Sequence, residues 1–120
     1  MEINKAVLDR IFLILKESAK KNELITYQDL NIRLSPDGTG PFFDDIKELF
    51  VYLTKLSRMM KIRKRPLITV IVVDDDRRQP GTGFFKIAKQ LDVFKADVSK
   101  KLDRKEFLDY ETHRVFSFNW

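Results

Sequence analysis

Apolar residues recur at helical spacing from the start of the chain. Ile3, Val7, Ile11, Ile14 and Leu15 form one stripe, Leu8 and Phe12 widen it, and charged residues fill the opposite face. This pattern predicts an amphipathic helix over residues 2–21. In the following ELITYQDLNIRL, Thr26 with Asp29 three residues on resembles a capping box with a short acid. It predicts a short second helix over residues 27–34, with Ile25 pairing briefly as a strand before it. SPDGTGP, residues 35–41, is a loop by composition. Pro41 suits the first turn of a third helix, with Asp44 and Asp45 near its positive end. Ile46, Leu49, Phe50, Leu53, Leu56 and Met60 form the core stripe of that helix, expected over residues 42–60.

The pattern then changes. Residues 67–73, LITVIVV, are β-branched except for Leu67 and show neither helical period nor alternation. This predicts a strand buried on both faces. Residues 74–82 have turn composition. Phe84, Phe85, Ile87, Ala88 and Leu91 suit a short helix, residues 103–113 give a weaker helical signal, and residues 115–120 alternate, with Phe116, Phe118 and Trp120 on one face of a C-terminal strand. Three helices followed by β structure and a short helix predict a single α+β domain, winged-helix-like, over residues 1–120.

Several of these segments together resemble a small family of bacterial and phage-encoded proteins. The residues that carry the resemblance are Thr26-Tyr27 followed by Leu30, Pro66-Leu67 opening the apolar segment, Pro80-Gly81-Thr82-Gly83-Phe84-Phe85, and the terminal Val115-Phe116-Ser117-Phe118-Asn119-Trp120. The family has a helical, winged-helix-like front and a PLxxxxVV…PGxGF strand-turn-helix. The resemblance implies a setting in mobile elements or defence neighbourhoods. Asp74, Asp75 and Asp76 with Arg77 and Arg78 depart from the family's usual turn.

Composition narrows the chemistry. The 120 residues contain no cysteine, which excludes disulfides, thiolate metal sites and cysteine nucleophiles. The longest apolar run near the N-terminus, residues 11–15, is too short for a signal sequence or a membrane span, so a soluble cytoplasmic protein is expected. The net charge of +5 is unevenly placed. Residues 1–60 hold nine basic and nine acidic residues, net zero; residues 61–120 hold fourteen and nine, which is the whole +5. Such an excess favours polyanions or acidic protein surfaces.

The basic residues also cluster. Lys55, Arg58, Lys61, Arg63, Lys64 and Arg65 place six positive charges and no acid in eleven residues. Lys47, Val51, Lys55 and Arg58 share a helical stripe nearly opposite the core stripe. Cations at a helix C-terminus also stabilise the helix, which accounts for part of the run. Its density points to phosphates of DNA or RNA, with Arg77 and Arg78 as a second contact. The first turn of the third helix would carry Phe42, Phe43, Asp44 and Asp45, which miss or repel a phosphate-lined groove. Contact is therefore expected at the backbone, with little reading of sequence. The rival expectation is a protein-interaction module, such as an inhibitor, immunity or accessory subunit, using Phe42, Phe43, Asp44, Asp45 and Trp120.

Catalysis finds little support. A metal-dependent nuclease needs carboxylates that converge on one ion, but adjacent strand residues point to opposite faces, so Asp74, Asp75 and Asp76 cannot all reach it unless the chain turns, and a site would rest on Asp74 and Asp76. A solvated turn explains them more simply. PGTGFF lacks the remainder of any phosphate-binding motif. His113 is the only histidine, too few for a histidine-rich metal site. No cofactor and no catalytic residue is expected.

Overall fold

The computed structural model describes residues 2–95 and 100–120. The elements run α1 (Lys5–Lys20), β1 (Ile25–Thr26), α2 (Tyr27–Arg33), α3 (Ile46–Ile62), one 3-10 turn (Ile68–Ile71), β2 (Val72–Val73), α4 (Thr82–Gln90) and α5 (Lys101–Ser117). The expected helical stripe of α1 is buried through Leu8, Ile11, Ile14, Leu15 and Ala19, while its first residues stay outside the helix. Asn4 caps it, accepting the N–H of Val7, and Asn4's own N–H donates to the Tyr52 hydroxyl at 2.9 Å. Thr26 caps α2 by accepting from the Asp29 N–H at 3.0 Å.

Residues 67–73 form the hub. Every one of them is buried, and α1, α3 and α5 all pack on the 3-10 turn. Their backbone does not run as the expected long strand. Only Val72 and Val73 pair, in parallel, with Ile25 and Thr26. A seven-residue strand buried on both sides needs neighbours for all its N–H and C=O groups. The one available partner is two residues long, so the preceding residues close hydrogen bonds locally, as in Val70 N–H to Leu67 C=O at 3.0 Å. A side chain serves another of these groups. Glu111 of α5, fully buried, accepts the Leu67 N–H at 2.7 Å and receives Arg114 Nη1 at 2.7 Å.

The winged-helix expectation therefore fails. The described chain is mostly helical, and no sheet follows α3 beyond the β1–β2 pair. The C-terminal strand expected over residues 115–120 is also replaced. Val115 belongs to the last turn of α5, and Trp120 folds back so that its Nε1 donates to the Val115 carbonyl at 2.7 Å. That bond satisfies one of the carbonyls a helix end leaves open.

The start of α3 moves as well. Pro41 does not enter its first turn; the helix begins at Ile46, with Asp45 as the cap accepting the Lys47 N–H at 3.0 Å. The delay has a cause. Asn31, buried in α2, grips Phe43 from both sides, donating to its carbonyl at 2.9 Å and accepting its N–H at 2.8 Å. A residue held by both backbone groups in this way is unavailable to a helical ladder.

Candidate nucleic-acid interface

The geometry of α3 sorts its residues onto two faces. Leu49, Tyr52, Leu53, Leu56, Ser57 and Met60 are buried, whereas Lys47, Val51, Lys55, Arg58 and Lys61 are exposed. Spacings of three and four residues bring these cations onto one flank, which continues through exposed Arg63 and Lys64 to half-buried Arg65. No carboxylate occurs between Glu48 and Asp74, and none of these cations forms an ion pair among the described residues.

The way α3 ends is informative. The Arg65 N–H reaches back to Met60 C=O at 2.9 Å and the Lys64 N–H to Lys61 C=O at 3.0 Å. This is a Schellman cap, and it puts Lys64 in the left-handed region at φ 57°. Two other helices end the same way. Asn22 (φ 55°) closes α1 and Asp92 (φ 60°) closes α4, through matching pairs of bonds. Asn and Asp enter that region more readily than a long side chain does. Only the helix leading into the basic run spends a lysine there.

Arg77 and Arg78 stand on a closed turn. The Asp74 N–H donates to Gln79 C=O and the Arg78 N–H to Asp74 C=O, both at 2.9 Å. Asp74 Oδ1 accepts the Asp76 N–H at 2.9 Å, so this carboxylate holds its own turn together. Asp75 and Asp76 are exposed, and no group of three potential metal-ligating side chains converges among the described residues. The two arginines face α5, where they border a groove of about 480 Å³ together with Lys105 and His113. Lys105 is paired with Asp109 across one helical turn.

The other singled-out residues are divided between surface and core. Phe42 is exposed, but Phe43 is buried and stacks on Tyr52 with ring centres 5.4 Å apart. Asp44 is exposed and Asp45 is committed to the α3 cap. Trp120 lies in a separate cluster, edge-on to Phe12 and tilted against Phe118.

Sequence patterning placed Phe50 in the core stripe, but it is 43% exposed. It meets Tyr27 edge-on at 5.2 Å, beside a cavity of about 150 Å³ between α3 and α4. Leu53 and Phe84 supply apolar wall, and two buried hydroxyls, Ser57 and Thr69, contact each other at 2.7 Å in its lining. The Tyr27 hydroxyl accepts the Gly81 N–H at 2.9 Å. Burial raises the Tyr27 pKa; the Gly81 bond opposes the rise, and Asp74 adds to it. Nothing in the residue pattern signals this cavity, because α3 and α4 are brought together by the hub between them. Glu111 had a faint signal: Phe107, Glu111 and Val115 repeat at four-residue spacing, which sets the acid on an inward stripe.

No family model, curated protein or solved structure matches this chain. No helix among the described residues is long and apolar enough to cross a membrane.

Proposed function

We propose that this protein binds nucleic acid, chiefly by phosphate contacts along the outer flank and C-terminal end of α3. The observation that carries this reading is the run from Lys55 to Lys64, whose basic side chains all stand in solvent without a carboxylate partner among the described residues. These charges are left to repel one another, a cost that phosphate contact removes. Arg77 and Arg78 offer a second contact point, on the turn they share with Asp74, Asp75 and Asp76. The absence of cysteine suits a cytoplasmic setting.

The test is binding of labelled DNA and RNA across a salt series. If Lys55, Arg58, Lys61, Arg63, Lys64 and the half-buried Arg65 each meet a duplex phosphate, log K should fall against log[salt] with a slope of about −5. Changing Lys61, Arg63 and Lys64 to Gln should reduce that slope by about 3 while leaving the fold intact. Absence of binding at low salt would sink the proposal.

A second reading has one observation in its favour. Exposed Phe42 and Asp44 stand just before the opposite end of α3 from Lys64, about 25 Å away along the helix. An aromatic anchor beside an acid suits a protein partner. A partner that co-purifies with the wild type and is lost on Phe42→Ala would support an interaction module, such as an accessory or inhibitory subunit.

A further inference from the structure

We infer that the cavity between α3 and α4 receives an unpaired pyrimidine base of a single strand whose backbone lies along the basic flank of α3. The inference rests on the phosphate-binding reading above and adds to it what kind of nucleic acid is held.

Size comes first. A cavity of about 150 Å³ lined by apolar side chains takes a ring the size of benzene. A pyrimidine is one six-membered ring; a purine is larger by a fused second ring. Position comes next. Phe50, Thr54, Ser57 and Lys61 follow one another along α3 at spacings of three or four residues, so the cavity flank runs directly into the basic flank. A strand held by Lys47, Arg58 and Lys61 has its bases within a side chain's reach of the opening. Phe50 gives that opening a half-exposed aromatic face, and every base can stack on such a face.

The polar wall gives the chemistry. Ser57 Oγ lies 2.9 Å from Leu53 C=O and 2.7 Å from Thr69 Oγ1. One arrangement uses both hydroxyl protons: Thr69 donates to Ser57, and Ser57 donates to the carbonyl. It leaves lone pairs on both oxygens and no spare proton, so the wall accepts hydrogen bonds. Cytosine presents an N4 amino group on its pairing edge, and thymine and uracil an N3–H. Those edges are free only when the base is unpaired, which excludes duplex.

The experiment compares three probes by fluorescence anisotropy: a short oligo-dT strand, an abasic strand of equal length, and a duplex. The first two carry the same phosphates, and an oligo-U strand extends the comparison to RNA. Oligo-dT should bind tightest. Phe50→Ala should weaken it at least about fivefold and leave the abasic strand unchanged. Thr69→Val keeps the side-chain shape and strands no donor, because Ser57 still has Leu53 C=O; it should weaken oligo-dT by about 2- to 10-fold. A bulky Thr54→Trp at the half-buried rim should block the base without touching phosphates. Circular dichroism melts confirm that each variant is folded. Equal binding of oligo-dT and abasic strand would overturn the base pocket and leave phosphate binding standing. Binding of none of the probes at low salt would overturn both. A co-purifying protein that buries Phe50 in a chain without nucleic-acid affinity would replace both with a protein interface.

Discussion

Lys64→Gly should make the protein more stable and a poorer binder. Lys64 holds φ 57° at the end of α3, and a residue with a Cβ incurs roughly 1–2 kcal/mol in that region. Glycine escapes this strain but loses roughly 0.5–1 kcal/mol more chain entropy on folding. The difference favours the variant by about 0.5–1 kcal/mol, a rise in Tm of about 2–4 °C for a chain of this size. Asn22 and Asp92 supply controls in the same molecule, because they close α1 and α4 with the same bonds at φ 55° and 60°. The same change there should move Tm by less than about 2 °C, since Asn and Asp tolerate the conformation. Thermal melts of the three variants in one buffer measure this directly. A salt series with single-stranded DNA should then show the Lys64→Gly slope shallower by about 0.7, the loss of one phosphate contact. Equal melting behaviour for Lys64→Gly and Asn22→Gly would refute the strain argument. A stabilised variant with an undiminished slope would refute a role for Lys64 at phosphate.

Three further outcomes follow from the buried polar contacts. Glu111→Ala leaves the Leu67 N–H without an acceptor and Arg114 without its partner, so urea titration should show a loss of about 3 kcal/mol; Glu111→Gln, which keeps an acceptor, should cost about half that or less. Asn31→Ala strands both backbone groups of Phe43 and should cost about 2–4 kcal/mol, with Phe43 leaving its stack on Tyr52 in near-ultraviolet dichroism. Tyr27 has a pKa raised by burial, so the folded state holds its proton more tightly than the unfolded chain does. Its contribution is intact below the unfolded value of about 10 and fades as pH climbs through the raised one. Stability measured from pH 8 to 11 should therefore fall less steeply for Tyr27→Phe than for wild type, and parallel curves would contradict the shift.

The legible parts of the fold were those whose information is local. α1, α2 and α3 were readable because an apolar stripe or a cap residue recurs within a few positions of its partner. Residues 67–73 were read correctly as buried, and their conformation was misread. Seven apolar residues in a row carry no period that separates strand from buried turn. What decides between them is whether partners exist, and the Glu111 carboxylate that binds Leu67 lies 44 residues away. The misread C-terminus has a similar cause. Alternation over Val115, Phe116, Ser117, Phe118, Asn119 and Trp120 is genuine, but the Trp120 indole finds its acceptor on the α5 end, and the helix extends to meet it. At the candidate interface the basic flank was visible from charge and spacing alone. The cavity beside it was not, because its lining comes from α2, α3, the hub and α4.

The hub also has a history during synthesis. Residues 67–73 are made well before Glu111 exists, so until α5 arrives the LITVIVV segment lacks one of its three helical covers and Leu67 lacks its acceptor. Uncharged, β-branched segments of six or seven residues are the kind that stack into cross-β aggregates. This one is bracketed: Lys61, Arg63, Lys64 and Arg65 stand before it, and Asp74, Asp75, Asp76, Arg77 and Arg78 after it. Charges at both ends oppose strand stacking between neighbouring copies. Chains truncated before residue 111 would expose that protection, by aggregating faster once Asp74, Asp75 and Asp76 are changed to Ser. The carboxylate triplet then guards the chain before it folds, whatever the folded surface goes on to bind.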